Sequence, residues 1–212
     1  TLGFVKDHGL KLSTFNIIGC PDESRKNVFE TIELNRKLRT DSCNVYIMFP
    51  YPGTPIQVAS GKPIRDESGK IVPVEMAKYL GLSKMGSDEL QGLLDTFNIY
   101  LHSPKTLWPI IRLAEKQTTI GTAFRKKLFQ YTVGKMSQAG VFCAALDAGG
   151  RKKLNLQCAE EDAVLPGHLI NLLSIPMSSE EEVIVCQALR EFIYQSCNFQ
   201  GVELLSDQAN SA

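Results

Sequence analysis

Near the start of the chain, two apolar runs frame a charged stretch with helical spacing. The first run, residues 14–18, carries Phe15, Ile17 and Ile18 and reads as a strand. Residues 25–38 follow with Val28, Phe29, Ile32 and Leu38 on one helical face. Asp22, Glu23 and Ser24 precede that helix, where its dipole favours acidic and capping groups. In the second run, residues 44–49, Val45, Ile47 and Phe49 alternate with Tyr46 and Met48. Both faces of this run are apolar, which predicts a strand covered on both sides, as in a parallel sheet. Strand, helix and strand within about forty residues predict a βαβ unit with parallel strands and a right-handed crossover.

Elsewhere the pattern is mainly helical. Residues 2–9 read as the end of a helix with Gly9 as its cap. Beyond the second strand, an irregular stretch predicts a small hairpin pairing 63–64 with 71–72, then a short helix over 74–80. A helix starting at Ser87 places Leu90, Leu93, Leu94, Phe97 and Leu101 on one stripe. Ser103-Pro104 opens another, carrying Leu107, Trp108, Ile111 and Ala114, with a kink expected at Pro109. Residues 122–136 follow, with Phe124, Leu128 and Phe129 on one side and Arg125, Lys126 and Lys127 on the other. From about residue 139 the chain turns small and polar, with Gly149-Gly150 read as a linker. Helices over 167–173 and 179–196 close the pattern before a polar tail expected to be disordered. The pair is expected to pack back on the main domain, because a single helical repeat of armadillo type cannot bury a core alone. The chain thus divides into strands and helix (1–60), a hairpin with a helical extension (61–138), and a linker with a terminal helix pair (139–212). The fold class is α/β, a βαβ unit followed by a mainly helical region.

Composition changes this picture little. The 212 residues hold 23 Lys plus Arg against 23 Asp plus Glu, so no net charge steers nucleic acid or an anionic membrane. No apolar run is long enough to span a bilayer, and the opening residues have no apolar core of a secretion signal. Cytoplasmic residence is the expectation. The chain opens on Thr1 rather than methionine, so a fragment boundary is one reading and processing is another. Six cysteines, at 20, 43, 143, 158, 186 and 197, include no C-x2-C or C-x3-C pair. Reduced, mostly buried thiols are expected, and no local metal site.

Candidate chemistry lies in the two turns that end the apolar runs, GCPDES and PYPGTP. In α/β sheets, ligands bind beyond the carboxyl ends of the strands. Gly19 permits a close backbone approach there, Pro21, Pro50 and Pro52 with Gly53 stiffen the exits, and Phe49 and Tyr51 offer aromatic surface. Tight strand–loop transitions would use the same residues, so both readings stand. Glu23 is read either as a cap or as a ligand contact, and Arg125-Lys126-Lys127 as a solvated face or as a membrane or phosphate patch. There is no Ser/His/Asp pattern, no phosphate loop and no HExxH motif.

STFNIIGCPDES and NVYIMFPYPGTPI, at this spacing, resemble the late strands of radical S-adenosylmethionine enzymes, in particular the group that carries a cobalamin-binding domain upstream. The lead-in VKDHGLKLSTFNIIG is similar to that group as well, and the resemblance covers residues 3–56, extending weakly to about 135. It implies a partial (β/α) barrel that holds S-adenosylmethionine and a [4Fe-4S] cluster. Such enzymes split the cofactor reductively and abstract hydrogen from a substrate, here unknown. By resemblance, Ile17, Gly19, Phe49, Pro50 and Tyr51 would line the adenine. The family's C-x3-C-x2-C cluster motif is missing, Asp22 replaces a glycine of the usual turn, and the first four barrel strands are not in the chain. The resemblance therefore implies a C-terminal segment of a longer enzyme, inactive alone, with the N-terminal barrel half as its partner and cobalamin as a further cofactor of the group. The competing reading is a non-catalytic, partner-binding module or degenerate remnant.

Overall fold

β1 (Ser13–Ile18) and β2 (Ser42–Ile47) lie side by side in parallel, joined by α1 (Arg25–Leu38). This is the βαβ unit that the periodicity predicts, in a computed structural model that describes residues 8–51, 54–56, 83–136, 143–145, 148–154, 156 and 164–196. β2 starts and ends two residues before the predicted 44–49 run. Phe49 is thus past the strand, although Met48 N still donates to Ile18 O at 2.8 Å.

The strands are held in register from the helix side by polar groups. Asn35, in the last turns of α1, is 2% exposed. Its Oδ1 accepts from Thr14 Oγ1 at 2.6 Å, and its Nδ2 donates to Asn16 Oδ1 at 2.9 Å. Asn16 Nδ2 in turn reaches Cys43 Sγ at 3.0 Å. Ile18, Val28 and Ile32 fill the space beyond this network. α1 itself begins where expected. Ser24 N and Oγ both donate to Asn27 Oδ1, at 3.0 and 2.7 Å, and its last turn carries Arg36 and Lys37.

The remaining helices pack together beside the sheet. They are α2 (Ser87–His102), α3 (Trp108–Ala114), α4 (Thr119–Met136), the short α5 (Ala148–Lys153) and α6 (Gly167–Ile170), and α7 (Ser179–Ser196). α2 presents Leu90, Leu93, Phe97 and Leu101 inward as its stripe predicts, and Asn98 Nδ2 donates to Cys43 O at 3.1 Å. Arg36 reaches across from α1 and donates through Nη1 to the carbonyls of Tyr100, Leu101 and Ser103 at 2.8, 2.9 and 2.6 Å. One guanidinium thereby satisfies the carbonyls left over at the end of α2. A single buried cluster continues from Ile18 through Phe97, Ile111 and Leu128 to Leu189 and Ile193, and α7 packs on α3.

Several expectations change. Pro104 leads into a 3-10 turn, Lys105–Leu107, and α3 starts afresh at Trp108 with Pro109 in its first turn. A proline there removes no helical hydrogen bond, so no kink results. Gly149-Gly150 lies inside α5 rather than in a linker. Helix 167–173 breaks after Ile170 into a 3-10 turn, Asn171–Ser174. Phe129 is exposed although Phe124 and Leu128 are fully buried. Two strands of three residues, β3 (Cys143–Ala145) and β4 (Val164–Pro166), pair antiparallel where no strand is predicted. The hairpin around 66–69, helix 74–80, residues 2–7 and the polar tail lie outside the described residues. No described helix is long and apolar enough to cross a membrane.

The largest departure concerns the parallel pair. Its helix-side face carries Thr14, Asn16 and Cys43 as well as Ile18, Val45 and Ile47. The opposite face carries Phe15, Ile17 and Tyr46, which are 73%, 54% and 52% exposed. The sequence predicts cover on both faces, but the described residues cover one. Ser13, Ser42 and Asn44 share the uncovered face, so three large apolar side chains and three polar ones meet solvent together.

Candidate functional site

The carboxyl ends of β1 and β2 bring the two singled-out turns side by side, because Ile17 pairs with Tyr46 and Ile18 with Ile47. Gly19 takes φ +83 as the chain leaves β1. A Cβ at that position would come within 2.9 Å of Leu90 Cδ2, a mobile side-chain end, so it is the positive φ that favours glycine. Asp22 also adopts a left-handed conformation, φ +61. Aspartate tolerates that region better than most residues.

Glu23 closes the turn. Its Oε2 accepts hydrogen bonds from Gly19 N and, at 3.1 Å, from Cys20 N. Glu23 N donates back to Cys20 O at 3.1 Å, and Lys84 N donates to Glu23 O at 3.0 Å. Of the two readings for Glu23, the structure favours the capping one, with the strand-end turn rather than α1 as what is capped. The consequence is chemical. Two amides that could have held an anion are already satisfied by an internal carboxylate, so the turn suits a neutral group.

Past β2, Phe49 and Pro50 are buried and Tyr51 is 59% exposed. The Phe49 and Tyr51 rings meet edge to face, 5.0 Å between centroids at 76°. Thr54 N and Oγ1 both donate to Tyr51 O, at 3.1 and 2.8 Å, which fixes the turn that presents the ring. Of the five residues singled out from sequence, Ile17 and Tyr51 are at the surface, and Gly19, Phe49 and Pro50 are inside. Pro52 and Gly53 lie outside the described residues. Phe15, Ile17 and Tyr46 share the uncovered sheet face, and Tyr51 is exposed beyond the end of β2. Sequence reasoning missed Phe15 and Tyr46 as part of that face, although the alternation 13-15-17 against 42-44-46 carries the signal.

The three thiols described do not converge. Cys20 is in the turn, Cys43 under the sheet and Cys186 on α7, all free. Burial pushes each of these thiols up, reinforced at Cys20 by the Glu23 carboxylate, so they stay protonated and weakly ligating. Among the described residues no three His, Cys, Asp or Glu side chains are grouped to hold a metal. The donor set of these residues does not fit an iron–sulfur cluster. It does fit the flat, neutral face of a purine, which needs aromatic and aliphatic surface and no charge.

A larger concavity, about 540 Å³, is lined by Arg25, Glu89, Arg112, Glu115, Lys116 and Ile184 among others, and none of the five singled-out residues borders it. Its polar floor is committed internally: Arg25 holds Glu115 through two hydrogen bonds of 2.7 and 2.6 Å, and Tyr100 Oη donates to Glu115 Oε1 at 2.5 Å. In the basic stretch 125–127, Arg125 Nη1 donates to the carbonyls of Ala114 and Lys116 at 2.7 and 3.2 Å, which ties it to the α3–α4 turn. Comparison with protein-family models, with curated proteins and with solved structures finds no match to this chain.

Proposed function

We propose that this chain is the C-terminal segment of a radical S-adenosylmethionine enzyme and that its strand ends form the adenine-side wall of the cofactor site. The observation that carries this reading is the uncovered sheet face, where Phe15, Ile17 and Tyr46 are 73%, 54% and 52% exposed. Burying Phe15, Ile17 and Tyr46 would contribute about 1.5–3 kcal/mol each. A two-stranded sheet packed on one face only, with these three side chains on the other, can receive a further layer there. A barrel supplies that layer, because its strands turn one face to the helices and the other to a filled interior.

In this reading Ile17 and Tyr51 contact the purine, Gly19 lets the backbone approach it, and Phe49 and Pro50 hold Tyr51 in place. Glu23 keeps the turn neutral. The described residues provide no cluster ligands, so the chemistry assigned to this chain stops at cofactor positioning. The cluster, the electron transfer and any cobalamin belong to the N-terminal partner half, and the substrate is left open. The test is the reading frame upstream of the Thr1 codon. Eight βα units occupy about 250 residues, so a C-x3-C-x2-C motif is expected within about 200 residues upstream. A complete upstream frame without that motif would remove the enzyme reading.

A second reading is supported by the same carboxylate. With Glu23 on both turn amides and no ligand set among the described residues, the apolar face serves equally as a docking face of a non-catalytic module. Saturable binding of S-adenosylmethionine by the assembled protein, lost in Ile17→Asp, separates the two.

A further inference from the structure

On the far side of α1 from the strand ends, the C-terminal ends of α1 and α2 enclose a pocket of about 210 Å³. It is lined by Asn35, Arg36, Arg39, Thr40, Leu101 and His102. That volume is the space of about seven waters.

Its charge is one-sided. Arg36 and Arg39 both border it, and neither has a carboxylate partner among the described residues. Helix C-termini ordinarily repel anions. Here Arg36 Nη1 already neutralises the end of α2 by donating to three of its carbonyls, while Nη2 and Nε make none of those bonds. Arg39 is the C-cap of α1 in a left-handed conformation, φ 51 and ψ 49, its N–H donating to Arg36 O at 3.1 Å. The chain takes this unfavourable conformation at a residue that borders the pocket.

Two further polar groups are unused. Thr40 is 6% exposed and its Oγ1 has no hydrogen-bond partner. His102 Nε2 is buried and without one as well. An orphaned buried hydroxyl costs about 1–3 kcal/mol unless something occupies the space beside it. Two cations, a hydroxyl and an imidazole that donates in its Nε2–H tautomer border one small cavity.

We propose that this pocket binds a small tetrahedral oxyanion, a phosphate group either free or carried on a monoester, held by Arg36, Arg39, Thr40 and His102. Two guanidiniums match phosphate oxygens by charge-assisted hydrogen bonds, and the hydroxyl and imidazole take the remaining lone pairs. The site is independent of the strand ends and of the reading given to them.

The experiment is NMR titration of the full chain with inorganic phosphate, and separately with phenyl phosphate, at constant ionic strength set with sodium chloride. Saturable shifts at Arg39, Thr40 and His102 are expected by about 20 mM, where a site of Kd about 1 mM is nearly full. Arg39→Gly removes the guanidinium and relieves the left-handed backbone, so the fold is kept and affinity should fall at least about fivefold. Tighter binding of phenyl phosphate would assign the ester, and equal binding the free ion. No saturable shift at these three residues, or equal affinity in Arg39→Gly, would overturn the proposal.

Discussion

Arg25, the first residue of α1, and Glu115, the C-cap of α3, are 90 positions apart and form a two-pronged ion pair. The Glu115 side chain is 10% exposed and that of Arg25 24%. Tyr100 Oη donates to the same carboxylate, and Phe29 lies against both Tyr100 and the Arg25 guanidinium, with ring centroids 5.0 Å apart and 5.1 Å from guanidinium to ring. This cluster ties the βαβ unit to the helical bundle. Removing one member of such a pair leaves a buried charge alone and costs about 3–5 kcal/mol. Arg25→Ala should lower stability by about that amount in urea unfolding, and Arg25→Lys, which keeps the charge but loses the fork, by less. A loss below about 1 kcal/mol for Arg25→Ala would show that the pair does not join the two parts.

The same cluster sets the alkaline limit. Burial, then the Glu115 carboxylate, hold the Tyr100 phenol protonated far above its ordinary range. A pKa raised on folding contributes stability that is complete below the unfolded value, about 10, and is lost as pH rises beyond it. Unfolding free energy should therefore fall steadily above about pH 10, and Tyr100→Phe should flatten that fall.

Gly92 explains how closely α2 meets the α3–α4 turn. A Cβ there would stand 2.5 Å from the Glu115 carbonyl oxygen. Gly→Ala inside a helix ordinarily gains about 1 kcal/mol. The steric cost of overpacking, about 1–3 kcal/mol, reverses the sign, so Gly92→Ala should lower the melting temperature. An increase would mean that the turn can retreat.

Phe15 and Ile18 test the register of β1 on opposite faces. Phe15 is 73% exposed and Ile18 fully buried. In this chain Phe15→Thr should change stability by less than about 0.5 kcal/mol, and Ile18→Ala should cost about 2–5 kcal/mol. Similar costs for the two would place the strand one residue out of register.

The sequence carried the βαβ unit because α1 has clean caps and a regular apolar stripe, and because both strands are short apolar runs between turn residues. It carried α2 and α7 for the same reason. It did not reveal that the described residues would cover only one face of the sheet. Thr14 and Asn16 look solvent-facing by type, and the reach of Asn35 from 21 and 19 positions away satisfies them. β3 and β4 are too short to leave a period, and Gly149-Gly150 reads as a linker because glycine disfavours helices until packing overrides it. At the strand ends, glycine and the aromatics were legible by residue type. The role of Glu23 was not, since its partners are backbone amides that no pattern marks.

The central claim is that the apolar face of β1 and β2 is an interior surface of a larger protein. Hydroxyl-radical footprinting of Phe15 and Tyr46 measures it directly, comparing this 212-residue chain with the protein purified from its native source. The account predicts strong labelling of both rings in the isolated chain and at least about tenfold protection in the native protein, as for residues moved from surface to core. Equal labelling in the two would contradict it.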